Sequence, residues 1–330
     1  MRDKILPEVI FGTSCLGNLY TQSSYEHKKA ILSACVNVNQ DGLMFDTAGK
    51  YGAGMSLEVL AKGLKELGIG QNEVKISNKL GWYRVPLIGT EPTFEKGVWA
   101  GLSYDAVQKI SYEGILECYH QGNQLLGDYH SQYVSVHDPD EYLACATDAR
   151  DYQKRYQDIL DAYIALVELK KMGAVEAIGI GAKNWRVIEK ISKDVALDYV
   201  MIANSLTIYA HPKALLKFVS ELAGNGVAVI NSAIFHGGFL TGGDFYNYEK
   251  VDGDSEAGRK LLSWREIFFR LCAKYQLLPA EACFGYVRQI KDIQSIALST
   301  TRPEKVQDNV DMIYKEIPEA FWLELDKIKS

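Results

Sequence analysis

Eight short runs rich in β-branched and other apolar residues, each followed by a helical pattern, constrain the fold of this chain more than any other feature. They fall at roughly 8–12 (EVIFG), 43–46 (LMFD), 74–80 (VKISNKL), 132–137 (QYVSVH), 175–180 (VEAIGI), 199–203 (YVMIA), 227–232 (VAVINS) and 294–298 (QSIAL). Strict alternation of strand and helix implies right-handed βαβ units and a parallel sheet. Eight such units predict an α/β fold of the (β/α)8 TIM-barrel type, and one barrel absorbs all 330 residues as a single domain, 1–330. No Pro/Ser-rich linker or shift in composition marks a second domain.

The intervening segments carry helix signals. Leu57, Leu60, Ala61 and Leu64 share one face, with Ser56 as the expected N-cap. Leu160, Tyr163, Ile164 and Val167 repeat the pattern, ending in Lys170-Lys171 and then Gly173, a cationic last turn before a C′ glycine. Pro212 and Pro303 stand where a first helical residue belongs. Two intervals between strand starts are much longer than the rest, 74 to 132 and 227 to 294. Their surplus lies in 82–103 and 237–261, which are expected to form walls or lids over the C-terminal face of the barrel.

Charge excludes several partners. The formal net charge is −6 and no run of five Lys or Arg occurs, which argues against nucleic acid and against an anionic membrane. The first twelve residues do not resemble a signal peptide, and no stretch of 18 apolar residues predicts a membrane span. Six scattered cysteines, without a C-x-x-C pair, read as reduced thiols of a cytoplasmic protein. No two His or Cys residues have metal-ligand spacing, so no metal is expected. The oligomeric state is not legible.

Three successive strands end in a polar residue that alternation turns towards the barrel axis. Lys75, Ser77 and Lys79 oppose Val74, Ile76 and Leu80; Ser135 and His137 oppose Val134 and Val136; Met44 and Asp46 oppose Leu43 and Phe45. Tyr51 follows Asp46 in a glycine-flanked loop, 48–54 (AGKYGAG), able to fold back over the mouth. Each group suits one task. A phenol titrates near 10, too high for ready proton exchange at neutral pH, and an ammonium about 4 Å away favours the phenolate by up to roughly 4 kcal/mol at an effective dielectric of 20. Lys79 is the candidate ammonium, Asp46 its fixed counter-ion, and His137 a neutral imidazole that orients a substrate oxygen. Taken singly, Asp46 also fits a turn former and His137 a cap for the Asp138-Pro139-Asp140 turn; the joint placement favours catalysis.

Two segments carry groups that could seat a phosphate. One is Gly179-Ile-Gly181-Ala-Lys-Asn184, which lacks the third glycine and the later acid of a dinucleotide fingerprint. The other is Ser299-Thr-Thr-Arg-Pro303, whose backbone N–H groups, hydroxyls and Arg302 stand at a helix start after the eighth strand. Trp82, Tyr83, Phe94 and Trp99 crowd the first long loop and Trp185 follows the fifth strand. These aromatics either form a private loop core or stack on the C–H faces of a sugar.

The set FDTAxxYG, a third-strand Lys and a fourth-strand His followed by Asp resembles the aldo-keto reductases, over nearly the whole chain from Phe11-Gly-Thr13 to Asn309. The resemblance implies a (β/α)8 oxidoreductase that binds NAD or NADP across the barrel mouth, with a catalytic tetrad of Asp46, Tyr51, Lys79 and His137. GWYRVP, VHDPDEYL, IGIGAKNW and NSLTIY look like the branch of aldose 1-dehydrogenases acting on L-fucose or D-threo-aldoses, with L-galactose dehydrogenase as a relative. It further implies cofactor contacts at Gly12, Thr13, Asp46, Lys183, Asn184, Asn204, Asn231, Ser232, Ser299, Arg302 and Asn309, and substrate contacts at Trp82, Tyr83, Trp99, His137 and Trp185. This chain departs from the family pattern at several of these. Lys183-Asn184 replaces a Ser-Asn pair, Asn204 a Gln, and Asn231 with Ser232 a stacking Tyr. Leu298 replaces a Lys at the 2′-phosphate site, which implies a preference for NAD over NADP. The implied reaction is oxidation of an aldose at C1 to the lactone by hydride transfer, with Tyr51 as general acid/base; the partner is a small-molecule sugar or aldehyde. Alternatives are an NADPH-dependent aldehyde or ketone reductase and a non-catalytic redox-sensing barrel.

Overall fold

The structure, a computed structural model, describes residues 6–38, 42–247 and 249–328. Residues 1–5 of the N-terminal stretch and 248 within the 237–261 segment lie outside the described residues. Eight parallel strands close into a barrel: β1 (Val9–Gly12), β2 (Met44–Ala48), β3 (Lys75–Leu80), β4 (Tyr133–His137), β5 (Ala177–Ala182), β6 (Tyr199–Ala203), β7 (Ala228–Ser232) and β8 (Ser295–Leu298). Each predicted run overlaps one of these strands, and β8 closes on β1 with Ile10 beside Ala297.

Alternation sorts the side chains as the pattern demands. Val9, Phe11, Phe45, Val74 and Ile76 face outward into the layer between sheet and helices, as do Leu80, Val134 and Val136 further round the barrel. Inside, Leu6, Ile10, Met44, Tyr133, Tyr199, Met201 and Ile230 fill the lower part of the barrel with apolar volume. Lys75 is the exception to the inward expectation. As the first residue of its strand it lies at the opposite rim, where it pairs with Glu176 in solvent. Asp46, Ser77, Lys79, Ser135 and His137 are buried above the apolar plug. A dry floor under a polar upper layer directs the chemistry to the C-terminal mouth.

The glycines of β5 serve this packing. A Cβ on Gly179 would lie 2.5 Å from the Tyr199 ring, and one on Gly181 would lie 3.2 Å from Cδ of Lys79. Both glycines make room inside the barrel for large neighbours, which gives the GxG segment a packing role.

Helix expectations need three adjustments. Helix Met55–Glu66 is preceded by Gly54 in the left-handed region; Ser56 is its second residue, and its hydroxyl bonds Thr13 instead of capping. In helix Ala149–Lys171 the buried face is Tyr156, Ile159, Ala162, Tyr163, Leu166 and Leu169, while Ile164 is 51% exposed. The stripe is thus rotated from the expected one, although Lys170, Lys171 and a left-handed Gly173 end the helix as the sequence implies. Pro212 is the cap ahead of Lys213–Gly224, one place earlier than expected, and Pro303 opens a 3-10 turn, Pro303–Lys305.

Both long loops are built, not loose. The first is an antiparallel hairpin, Trp82–Pro86 with Tyr104–Gln108, joined by a strap that pairs Trp99 with Leu19 across the mouth. The second contains a short ladder, Phe245–Tyr246 with Glu249–Lys250, before helix Glu256–Lys274. Tyr246 anchors it in a ring cluster with His236, Tyr209 and Phe239. No helix among the described residues is long and apolar enough to cross a membrane.

Candidate active site

Lys79 and His137 sit at the C-terminal ends of the adjacent strands β3 and β4, Asp46 lies mid-way along neighbouring β2, and the turn after β2 brings Tyr51 to them. Lys79 donates to Oδ2 of Asp46, while Ser77 Oγ donates to Oδ1 at 3.2 Å. Both ion-pair partners are buried, 3% exposed each, so neither charge is held by water. Lys79 Nζ also lies 4.9 Å from the centre of the Tyr51 ring, and the His137 ring meets that ring edge-on at 5.6 Å. Four groups of complementary chemistry therefore converge in one partly covered space.

Local backbone explains how Tyr51 is presented. Its N–H donates to Ala48 O at 3.1 Å, and its carbonyl accepts from Ser56 N at 3.2 Å, closing a tight turn between strand and helix. Gly52 has φ 62°, and a Cβ there would lie 2.4 Å from the carbonyl oxygen of Gly17. Only glycine allows this backbone-on-backbone approach in that conformation. Above the ring, Trp99 packs at 5.8 Å and donates its Nε1–H to Glu95 at 2.7 Å.

Burial pushes the His137 imidazole well below its ordinary range, and the nearby Lys50 and Lys79 ammoniums act in the same direction. The ring is neutral at physiological pH, as expected for an orienting donor. Its Nδ1 is buried without a partner, and its Nε2 lies 3.4 Å from Oδ2 of Asp138.

The aromatic candidates divide. Trp82 and Trp99 stay with Tyr51 in a small cluster that includes Phe94 and Ala53, and Trp82 keeps a buried Nε1 without a partner. Tyr83 faces the other side of its hairpin, against the helix layer and under Lys109 Nζ at 4.4 Å. Trp185 is buried between helices and packs on Phe218 at 6.1 Å. Tyr83 is half-buried against the helix layer and Trp185 is buried, so both have packing roles away from the Trp82–Trp99 cluster.

The candidate cofactor residues are spread around the rest of the mouth. Asn204, after β6, is 5% exposed, has φ 59°, and both its amide atoms lack a partner. Asn231 on β7 donates to Leu206 O at 2.7 Å but leaves its buried Oδ1 unmatched. Unpaired buried amides cost roughly 1–3 kcal/mol each, so these groups are left with unused hydrogen-bonding capacity. Ser232 is half-buried, with Oγ 3.4 Å from Ile202 O. A Cβ on Gly12 would stand 3.4 Å from Ser299 Cβ, and Ser299 Oγ is 3.4 Å from Ser14 Oγ, so β1 and the β8 loop share one edge. Arg302 is exposed there and Asn309 is half-buried in helix Val306–Ile313. Three candidates also have internal bonds. The Thr13 hydroxyl is bonded to Asp46 O and to Ser56, Lys183 pairs with Glu141 at 2.5 Å, and Asn184 caps its helix by accepting from Arg186 N at 3.1 Å.

Lys50 is a further buried charge at the mouth that the strand pattern does not single out. Its side chain is 4% exposed and its Nζ touches Glu95 at 2.8 Å, Asp138 at 3.0 Å and Glu141 at 3.0 Å. The acidic run Asp138-Pro-Asp-Glu141 directly after His137 was the available signal. A cleft of about 480 Å³ opens at the opposite rim beside Glu8, Arg288 and Gln294, far in the fold from these groups.

The chain belongs to the aldo/keto reductase family, which it matches over residues 8–330, and that family membership makes it an NAD(P)-dependent oxidoreductase. It is 24% identical over 328 residues to a pyridoxal 4-dehydrogenase of Microbacterium luteolum, covering 95% of this chain and 91% of that one. It is 23% identical over 333 residues to a D-threo-aldose 1-dehydrogenase of a Pseudomonas species (97% and 93%). It is also 23% identical to an NADH-specific methylglyoxal reductase of Escherichia coli K12 over 329 residues (96% and 93%). Among solved structures it is similar to a glycerol dehydrogenase from Gluconobacter oxydans, with TM-score 0.70, 16% identity and coverage of 97% of this chain and 90% of that chain. An aldo-keto reductase from Bacillus halodurans gives TM-score 0.68 at 16% identity, covering 98% and 92%.

Proposed function

We propose that the protein oxidises an aldose of the L-fucose or D-threo type at C1 to its lactone, in the cytoplasm, with NAD preferred over NADP. The observation that carries this reading is the buried Lys79 ammonium held between the Asp46 carboxylate and the Tyr51 ring, with neutral His137 against the edge of that ring. In this reading Asp46 keeps Lys79 charged, and Lys79 favours the Tyr51 phenolate. Tyr51 takes the proton from the anomeric hydroxyl, and His137 donates a hydrogen bond that fixes the same oxygen. A bound nicotinamide supplies the acceptor for the hydride that leaves C1. Asn204 and Asn231, with unmatched amide atoms, suit its carboxamide; Ser299 and Arg302 suit its anionic end.

Trp82 and Trp99 provide apolar faces for a sugar ring, and the unpaired Trp82 Nε1 a donor for one of its hydroxyls. The relative named for D-threo-aldose supports the substrate class, and the relative named NADH-specific supports the cofactor. Leu298 supports it too, being buried in the outer core where the family pattern has a cation. The test is a panel of L-fucose, D-arabinose, L-galactose and simple aldehydes with each cofactor, read by nicotinamide absorbance. Turnover of aldoses with NAD is expected. Reduction of simple aldehydes with no aldose oxidation would replace this reading by the reductase one, and equal kcat/KM for both cofactors would end the NAD preference.

A further inference from the structure

Lys50 binds three carboxylates from two separate elements, and nothing in the catalytic reading uses it. Glu95 comes from the strap over the mouth; Asp138 and Glu141 come from the turn and short helix after β4. Glu141 continues the chain of charges to Lys183 after β5. Trp82 covers the ammonium, with its ring centre 5.3 Å away. A lysine this deeply buried with three acids is not a surface ion pair, and four loops of the mouth meet through it.

Its position is what gives it consequence. Lys50 immediately precedes Tyr51, and Asp138 immediately follows His137. Asp138 has φ 47°, a left-handed conformation that a non-glycine residue adopts at a cost, and its N–H is tied to Gly181 O at 2.9 Å. That backbone turns its carboxylate towards both Lys50 Nζ, at 3.0 Å, and His137 Nε2, at 3.4 Å. One carboxylate thus joins the residue beside the phenol to the imidazole opposite it.

We propose that Lys50 is a positioning residue for the reaction: anchored on Asp138, it holds Tyr51 and His137 in register and sets the charge that His137 meets. The inference rests on the proposed roles of Tyr51 and His137. The groups facing His137 are Lys50 and Tyr51 from the loop after β2, Lys79 from β3 with Asp46 behind it, Asp138 and Glu141 from its own following segment, and Lys183 from the loop after β5. Removing the Lys50 charge leaves the carboxylates Asp138 and Glu141 less compensated beside the imidazole, which makes His137 easier to protonate.

The test compares Lys50→Met, Lys50→Arg and the double variant Lys50→Met/Asp138→Asn in steady-state aldose oxidation across pH. For Lys50→Met we expect kcat to fall at least tenfold, cofactor Kd to stay within twofold, and the acidic limb of kcat/KM to move up by half a pH unit or more. Lys50→Arg restores most of kcat. The double variant leaves Glu95 with Trp99 and Glu141 with Lys183, so it folds even if Lys50→Met does not, and it still lacks turnover. Wild-type kcat in either Met-containing variant, or a loss of rate with an unmoved acidic limb in a folded Lys50→Met, overturns the proposal. Tyr51→Phe separates the two failures. If that variant keeps turnover, the catalytic reading falls; if it is inactive while Lys50→Met behaves as wild type, only this inference falls.

Discussion

Lys79 folds against Gly181: a methyl group placed on that glycine would stand 3.2 Å from Lys79 Cδ, inside the barrel. The bare backbone of β5 is therefore one wall of the channel through which the ammonium reaches Asp46 and Tyr51. Two residues earlier, Gly179 does the same for the Tyr199 ring, with a tighter 2.5 Å approach to rigid aromatic atoms. The two glycines lie on one strand face, yet their substitution has different consequences.

Gly181→Ala is expected to lower kcat several-fold with a small change in Tm, because a flexible lysine stem can shift by a few tenths of an ångström but then misplaces its charge. Gly179→Ala is expected to cost about 1–3 kcal/mol through overpacking against a buried tyrosine, with near-normal kcat in the molecules that remain folded. Thermal melts and steady-state rates on both variants check this. Equal loss of stability in both would show that Lys79 does not depend on the space at Gly181.

The Asp46–Lys79 pair predicts a non-additive response. Both side chains are buried, so Lys79→Met leaves an uncompensated carboxylate and is expected to destabilise by about 3–5 kcal/mol, as well as to remove most turnover. Asp46→Asn/Lys79→Met removes both charges and is expected to recover most of the stability while remaining inactive. Denaturant melts of the single and double variants measure the coupling; additive losses would count against a buried pair.

How much of this was legible in the sequence follows from where each signal resides. The eight strands were readable because β-branched runs fix a period of two locally, and Asp46, Lys79 and His137 fell on their inward face by the same alternation. Tyr51 was readable from its spacing and its glycines. The hairpin of Trp82–Pro86 with Tyr104–Gln108 was not, since its pairing spans residues that carry no alternation of their own and depends on the strap reaching Leu19. Tyr83 and Trp185 look like Trp82 in sequence. Which side of a hairpin or helix start an aromatic takes is decided by what packs behind it, here Lys109 and Phe218. The helix stripe at 160–167 failed for a related reason: several registers of Ala149–Lys171 offer apolar faces, and contact with the barrel selects one. Lys50 was hidden because its three partners lie 45 to 91 residues away.

Buried neutral histidines give a pH dependence with a definite sign. His137 titrates far below its ordinary value through burial, then Lys50 and Lys79; His236 is also lowered by burial, against an opposing bond to Asn247. The unfolded chain takes up these protons near pH 6.5 and the folded one does so only at lower pH. Below that point the unfolded state binds more protons, so stability falls as pH drops, by up to about 1.4 kcal/mol per pH unit for each histidine until its folded value is reached. Unfolding free energies at pH 7.5 and 5.5 check this, with His137→Gln expected to flatten the slope. A stability unchanged between these values would mean that the imidazoles take up protons in the folded state as they do in the unfolded chain.

The two built loops meet at a pair of aromatic rings. Tyr20, in the β1 loop and tied through its N–H to Val98 of the strap at 2.7 Å, stacks on Phe245 of the β7 loop with ring centres 6.3 Å apart at 23°. Both rings are nearly half exposed, 48% and 45%, so their contact contributes little to the core. They form a bridge between the loops that follow β1 and β7. Because Tyr246 keeps the β7 loop anchored below, truncating Phe245 opens the bridge without unfolding the loop. An aromatic pair contributes about 0.5–1.5 kcal/mol. Phe245→Ala is therefore expected to weaken nicotinamide binding by roughly two- to tenfold, mainly by faster release, with Tm unchanged. Stopped-flow fluorescence of cofactor dissociation measures this, and an unaltered release rate would show that the bridge does not gate the cofactor.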